Sequence, residues 1–82
     1  MMNENKKISV IIKLFADLTQ YGPAKAEIVL PKGSSLNIIF DKYKIPKEKK
    51  TIILINSLPH YDRNSALKDG DTIAIFPPLA GG

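Results

Sequence analysis

Apolar and polar residues alternate from Ile8 to Phe15. Ile8, Val10, Ile12 and Leu14 fall on one side of an extended chain, and Ser9, Ile11, Lys13 and Phe15 on the other. A period of two predicts a β-strand with one buried face and a second face that is only partly polar. Tyr21-Gly22-Pro23 is a turn signal, after which Ala26, Ile28 and Leu30 alternate with Lys25, Glu27 and Val29. The first two strands therefore read as a hairpin joined by a fairly long loop. Past Pro31-Lys32-Gly33 the period changes: Leu36, Ile39, Phe40 and Tyr43 stand at i, i+3, i+4 and i+7. That spacing predicts a helix with one apolar face, N-capped by Ser34 or Ser35 and stopped by Pro46. Thr51 to Ile55 is rich in β-branched residues and reads as a strand, and Asn56-Ser57 begins a turn. Residues 57–68 hold short irregular pieces, among them one minor strand and a helical turn near Ser65 to Leu67. Lys68-Asp69-Gly70-Asp71 is a tight turn that launches the last strand, Thr72 to Phe76.

The order strand, strand, helix, strand, irregular segment, strand defines an α+β fold. One main helix packed on one face of a mixed four- to five-stranded sheet covers every apolar face in the pattern, and this is the β-grasp arrangement. A chain of 82 residues has room for one such domain. The expected organisation is a frayed N-terminus over 1–7, the folded domain over 8–76 and an extended tail over 77–82. If the helix covers the side bearing Ile8, Val10, Ile12 and Leu14, the opposite side of the sheet carries Ile11 and Phe15. Strand parity adds Ile52 and Leu54, and Ala74 and Phe76, to that open side. An uncovered apolar face next to the chain's end is expected to dock a protein partner.

Composition narrows the chemistry. Cysteine is absent, which excludes disulfides, thiolate metal sites and catalysis by a side-chain thiol. A single histidine, His60, without clustered carboxylates makes no metal centre and reads as a surface histidine in a loop. Asp62, Asp69 and Asp71 suit turns better than general acid or base work. Apolar runs are far too short to cross a bilayer, no signal peptide is evident, and a cytoplasmic location is the default expectation. The net charge of +4 is mild. Lys42, Lys44, Lys47, Lys49 and Lys50 form the basic cluster, which reads as a solvated helix end and loop, with steering toward an acidic partner as the alternative. With only Tyr43 interleaved there is no stacking platform for RNA, so no nucleic acid and no membrane are expected as partners.

The last seven residues, Phe-Pro-Pro-Leu-Ala-Gly-Gly, stand apart. Pro77 and Pro78 fix φ near −65° and donate no ladder hydrogen bond, so the sheet must end there. Gly81 and Gly82 have no Cβ, so they can take φ values closed to other residues and are able to pass a narrow channel. From Phe76 onward an extended tail reaches on the order of 20 Å, enough to enter a buried site while the domain stays outside. Taken alone, paired prolines after a strand are also a plain strand terminator.

Joined to the fold pattern, these residues resemble the MoaD/ThiS family of ubiquitin-like sulfur carriers. The matching features are the strand ending in Asn56, the Leu-Lys-Asp-Gly-Asp turn of Leu67 to Asp71, and the final strand running into Gly81-Gly82. Lys13 to Leu18 (KLFADL) and the Pro-Lys-Gly-Ser-Ser-Leu before the helix also resemble it, so the likeness spans nearly the whole chain. The Phe-Pro-Pro-x-x-Gly-Gly ending favours the MoaD branch, the small subunit of molybdopterin synthase. The resemblance implies that an E1-like, MoeB-type adenylyltransferase uses ATP to adenylate the Gly82 carboxylate. A sulfur donor protein then converts it to a thiocarboxylate. The tail residues Pro77, Pro78, Leu79, Ala80 and Gly81 would carry that group into a MoaE-like large subunit, in a heterotetramer, for dithiolene formation on a pterin. The chain would bind no cofactor and have no active site of its own. The residues agree with this chemistry: a carboxylate accepts nucleophiles only once its oxygen is a good leaving group, and a terminal thiocarboxylate needs no cysteine. Other expectations for the same fold are a carrier for tRNA thiolation or thiamine thiazole synthesis, and a ubiquitin-like modifier or adaptor.

Overall fold

The computed structural model describes residues 6–78. Five strands form one sheet: β1 (Lys7–Leu14), β2 (Lys25–Pro31), β3 (Ile52–Ile55), β4 (Leu58–Pro59) and β5 (Thr72–Phe76). Among the described residues one α-helix forms, α1 (Leu36–Tyr43). The sheet order is β2-β1-β5-β3-β4, with β1 and β5 parallel at its centre and every other pair antiparallel. Strand β1 begins at Lys7, one residue ahead of the expected boundary.

The alternation along β1 decides where the core lies. Ile8, Val10, Ile12 and Leu14 are buried, as are Ile73 and Ile75 of β5 and Ile53 of β3. Against them pack Leu36, Ile39 and Phe40 of α1, all fully buried, with Tyr43 half-buried at the helix end. Sheet and helix thus each contribute one apolar surface to a single core.

Ser35 takes the N-cap position of α1 as expected, but without a side-chain bond, and the Ser34 hydroxyl donates to the Pro31 carbonyl at 2.7 Å. The first-turn amide of Asn37 is instead satisfied by the Arg63 carbonyl, a contact from a distant loop. No helical turn forms at Ser65 to Leu67: Ala66 makes a β-bridge with Ser35, and the Leu67 amide donates to the Ser34 carbonyl at 2.7 Å. The loop between β1 and β2 is a 3₁₀ helix, Ala16–Tyr21, whose Leu18 is fully buried.

At its C-terminus α1 ends before Pro46 can interfere. Lys44 takes the left-handed conformation at φ 59°, and the amides of Lys44 and Ile45 bond back to Asp41 and Phe40. The Arg63 guanidinium lies 4.3 Å from the Phe40 ring centroid and donates to the Lys47 carbonyl and the Thr51 hydroxyl. One side chain thereby ties the 44–51 loop to the helix it follows.

Candidate functional site

No described residue covers the face of the sheet opposite α1. Register sets what stands on it: Ile11 lies across from Thr72, Lys13 from Ala74, Leu54 from Ala74 and Ile52 from Phe76. Ile11, Phe15, Ile52, Leu54, Ala74 and Phe76 therefore share one surface. Ile52 and Phe15 are 42% and 37% exposed, large values for apolar side chains on a sheet. The rings of Phe15 and Phe76 stack with centroids 4.2 Å apart and planes 11° from parallel. This stack walls one end of an open groove of about 420 Å³ floored by Leu54 and Ala74 and lined further by Lys13, Asn56, Ser57 and Thr72. Of these, the apolar members were readable from strand parity. Lys13 shares that parity but, being charged, gave no sign of lining an apolar groove.

The polar end of the groove is rigid. Asn56 and Ser57, at φ 54° and 73°, make the two-residue turn that joins β3 to β4. From that position the Asn56 side chain donates to Asp71 Oδ1 at 2.9 Å and accepts from the Thr72 amide at 3.0 Å. The second oxygen of Asp71 accepts from the Lys68 amide at 2.9 Å, and Asp69 Oδ1 accepts from the Ser9 amide at 2.7 Å. Gly70 between them has φ +88°, where a side chain would be strained. Asp62 bonds Asn64 and Ser65 in the same fashion. Asp62 and Asp71 thus hold their turns from within, and Asp69 ties its turn to β1. Together, the 56–57 and 68–71 turns clamp the start of β5, the strand that carries the chain toward its end.

Strand β5 stops at Phe76, and Pro77 and Pro78 follow outside the sheet, the first half-buried and the second exposed. The chain therefore leaves the sheet beside the Phe15 ring, at the aromatic end of the groove. Leu79, Ala80, Gly81 and Gly82 lie outside the described residues.

His60 is not the surface histidine expected. Its amide extends the β3–β4 ladder to the Ile53 carbonyl, its ring is half-buried, and Nε2 is shielded from water with no hydrogen-bond partner. Among the described residues, no group of three or more His, Asp or Glu side chains is placed to hold a metal ion, and no helix is long and apolar enough to cross a membrane. Burial holds the Tyr43 phenol above its usual range.

Sheet order, helix placement and the strand leading out between two turns define a β-grasp, ubiquitin-like protein. The chain belongs to the ThiS family, whose model matches residues 12–82. Solved structures agree. A Pyrococcus furiosus protein assigned as molybdopterin converting factor, subunit 1, superposes with a TM-score of 0.72 at 25% identity, covering 88% of this chain and 99% of that one. Small archaeal modifier protein 1 of Methanosarcina acetivorans gives 0.64 at 27% identity, covering 95% and 100%. A complex of subunits 1 and 2 of molybdopterin-converting factor from Helicobacter pylori gives 0.62 at 24%, covering 92% and 100%, a likeness of fold. No curated protein matches the sequence.

Proposed function

We propose that this chain is a sulfur carrier and co-substrate, the small subunit of a molybdopterin synthase. An E1-like enzyme adenylates the Gly82 carboxylate with ATP, and a sulfur donor displaces AMP to leave a thiocarboxylate. The tail then enters a large catalytic subunit and gives its sulfur to a pterin precursor, two deliveries building the dithiolene. The domain supplies a handle for docking and a rigid exit for the tail, and the catalytic groups belong to the partners.

The observation that carries this reading is the position of the exit. Phe76, the last residue of the sheet, is stacked on Phe15 at the end of an uncovered apolar groove. A partner that covers the groove receives the tail at its edge. Supporting this are the family match running to Gly82 and the likeness to the Pyrococcus furiosus subunit 1. The Helicobacter pylori complex of subunits 1 and 2 supplies a precedent for a second subunit as the partner.

A second reading, a protein modifier, is favoured by the likeness to small archaeal modifier protein 1 at 27% identity. Intact mass after co-expression with the cognate activating enzyme separates the two. An oxygen-to-sulfur exchange at the C-terminus supports the carrier, and isopeptide-linked adducts support the modifier. A purely unmodified carboxylate refutes both. Deleting Gly82, or adding a residue after it, is expected to abolish sulfur loading with no change in thermal midpoint; full loading of the truncated chain contradicts the mechanism. Co-purification with a large subunit distinguishes the molybdopterin role from tRNA thiolation or thiazole synthesis.

A further inference from the structure

The open face holds a charge arrangement that the free protein leaves uncompensated. Lys13 lines the groove with Phe15, Leu54, Ala74 and Phe76, and its partner across the β1–β2 ladder is Lys25. The Leu14 amide bonds to the Ala24 carbonyl at 2.9 Å. Hydrogen-bonded and non-hydrogen-bonded pairs alternate along an antiparallel ladder, so Lys13 and Lys25 form a non-hydrogen-bonded pair. In such pairs the Cα atoms approach to roughly 4.5 Å and side chains stand closest. Like charges placed so are destabilising. The Glu27 carboxylate on the same face does not relieve them: it sits opposite Ile11, and its Oε2 accepts from the Ser9 hydroxyl at 2.6 Å, on the far side from the lysines. Lys47 pairs with Asp41 at the end of α1, and among the described residues neither Lys13 nor Lys25 has an acidic partner.

In water two such ammonium groups are tolerated because each keeps its hydration. A partner laid over the groove strips hydration from Lys13, and a neutral or basic surface there would leave a buried charge without compensation. Building on the docking role proposed above, we infer that the large subunit presents a carboxylate to Lys13 and Lys25. Beside that carboxylate, an apolar side chain fills the groove over Leu54 and Ala74. The lysine pair is then the element of this face that chooses among partners: it rewards an acidic surface and rejects the others. The stacked phenylalanines supply contact area without that discrimination.

The test measures binding of the full chain to the large subunit encoded in the same genome, by titration calorimetry at two salt concentrations. Lys13→Met keeps the aliphatic stem and removes the charge, whereas Lys13→Arg keeps the charge. Lys13→Met is expected to weaken binding about tenfold at about 0.05 M salt and less than about twofold at about 0.5 M, where screening is short-ranged. Lys13→Arg should stay within about threefold of the parent, and Lys25→Gln should show a smaller loss with the same salt dependence. The thermal midpoint of free Lys13→Met should equal or exceed the parent's, because a repulsion has gone. Unchanged binding of Lys13→Met at low salt, or an equal loss at both salts, overturns the acidic contact. Phe76→Asp separates this from the docking role itself. If Phe76→Asp abolishes binding while Lys13→Met does not weaken it, the docking face stands and the acidic contact falls. If binding survives Phe76→Asp, both fall.

Discussion

Asp71→Ala is expected to carry a large stability cost outside the apolar core. Asp71 is 9% exposed, and both its carboxylate oxygens are engaged, one by the Asn56 side-chain amide and one by the Lys68 backbone amide, each at 2.9 Å. Hydrogen bonds to a charged group contribute about 1.5–3 kcal/mol each, and a donor left unpaired in a shielded place costs about 1–3 kcal/mol. Because the two bonds share one carboxylate, their losses overlap, and partial access of water to Lys68 reduces the second. A total of about 3 kcal/mol follows. For a domain of 82 residues the unfolding entropy is about 0.17 kcal/mol/K, so the thermal midpoint should fall by roughly 17 °C. Asp71→Asn should lose about half as much, since its carbonyl still accepts from Asn56 while its NH₂ group meets the Lys68 amide as a second donor. Calorimetric melting and urea unfolding of both variants measure this. A double-mutant cycle with Asn56→Ala should return a coupling of at least about 1 kcal/mol. An Asp71→Ala protein within about 0.5 kcal/mol of the parent would refute the clamp as an energetic unit.

Three further outcomes are expected. Ser57 holds φ 73° in a turn where glycine is preferred, so Ser57→Gly should stabilise by about 0.5–1 kcal/mol in urea unfolding; a loss of stability contradicts the turn assignment. A Cβ on Gly22 would stand 2.8 Å from the Tyr43 ring, so Gly22→Ala should cost about 1–2 kcal/mol, and the penalty should vanish in a Tyr43→Ala background. Burial raises the Tyr43 phenol above its ordinary value of 10.0. Just above that pH the unfolded chain releases this proton while the folded chain keeps it, so stability falls as pH rises past about 10. Tyr43→Phe should flatten that fall relative to the parent in urea titrations at pH 8 and 10.5, and an identical slope in both proteins would exclude the residue.

Much of the architecture was legible because it is written in local periods. Period two along Ile8 to Phe15 and a spacing of three and four along Leu36 to Tyr43 each report a backbone geometry that the residues themselves favour, and the helix bounds follow directly. The 3₁₀ helix of Ala16–Tyr21 was not legible, since one buried leucine in a polar run has no period. Residue type placed the helix cap at Ser34 or Ser35, and Ser35 holds it, but its side chain makes no cap bond. The structure satisfies the helix start from Arg63 because a loop far along the chain comes to rest there. His60 failed for a similar reason, its shielding being supplied by neighbours rather than by its own segment.

The open face divides along the same line. Parity assigns Phe15, Leu54, Ala74 and Phe76 to one side of the sheet, because side chains alternate on any strand. It does not say which strands are neighbours. Only the parallel docking of β5 beside β1 brings Phe76 onto Phe15 across the length of the chain, and only the β1–β2 register sets Lys13 against Lys25. Patterning of single segments depends on backbone geometry and solvent. Juxtaposition depends on loop closure and on how helix and sheet share one core, and these are properties of the whole chain. The sequence by itself therefore determined the class of protein and the surface it leaves open, and the tertiary structure decided which aromatic rings and which charges meet on that surface.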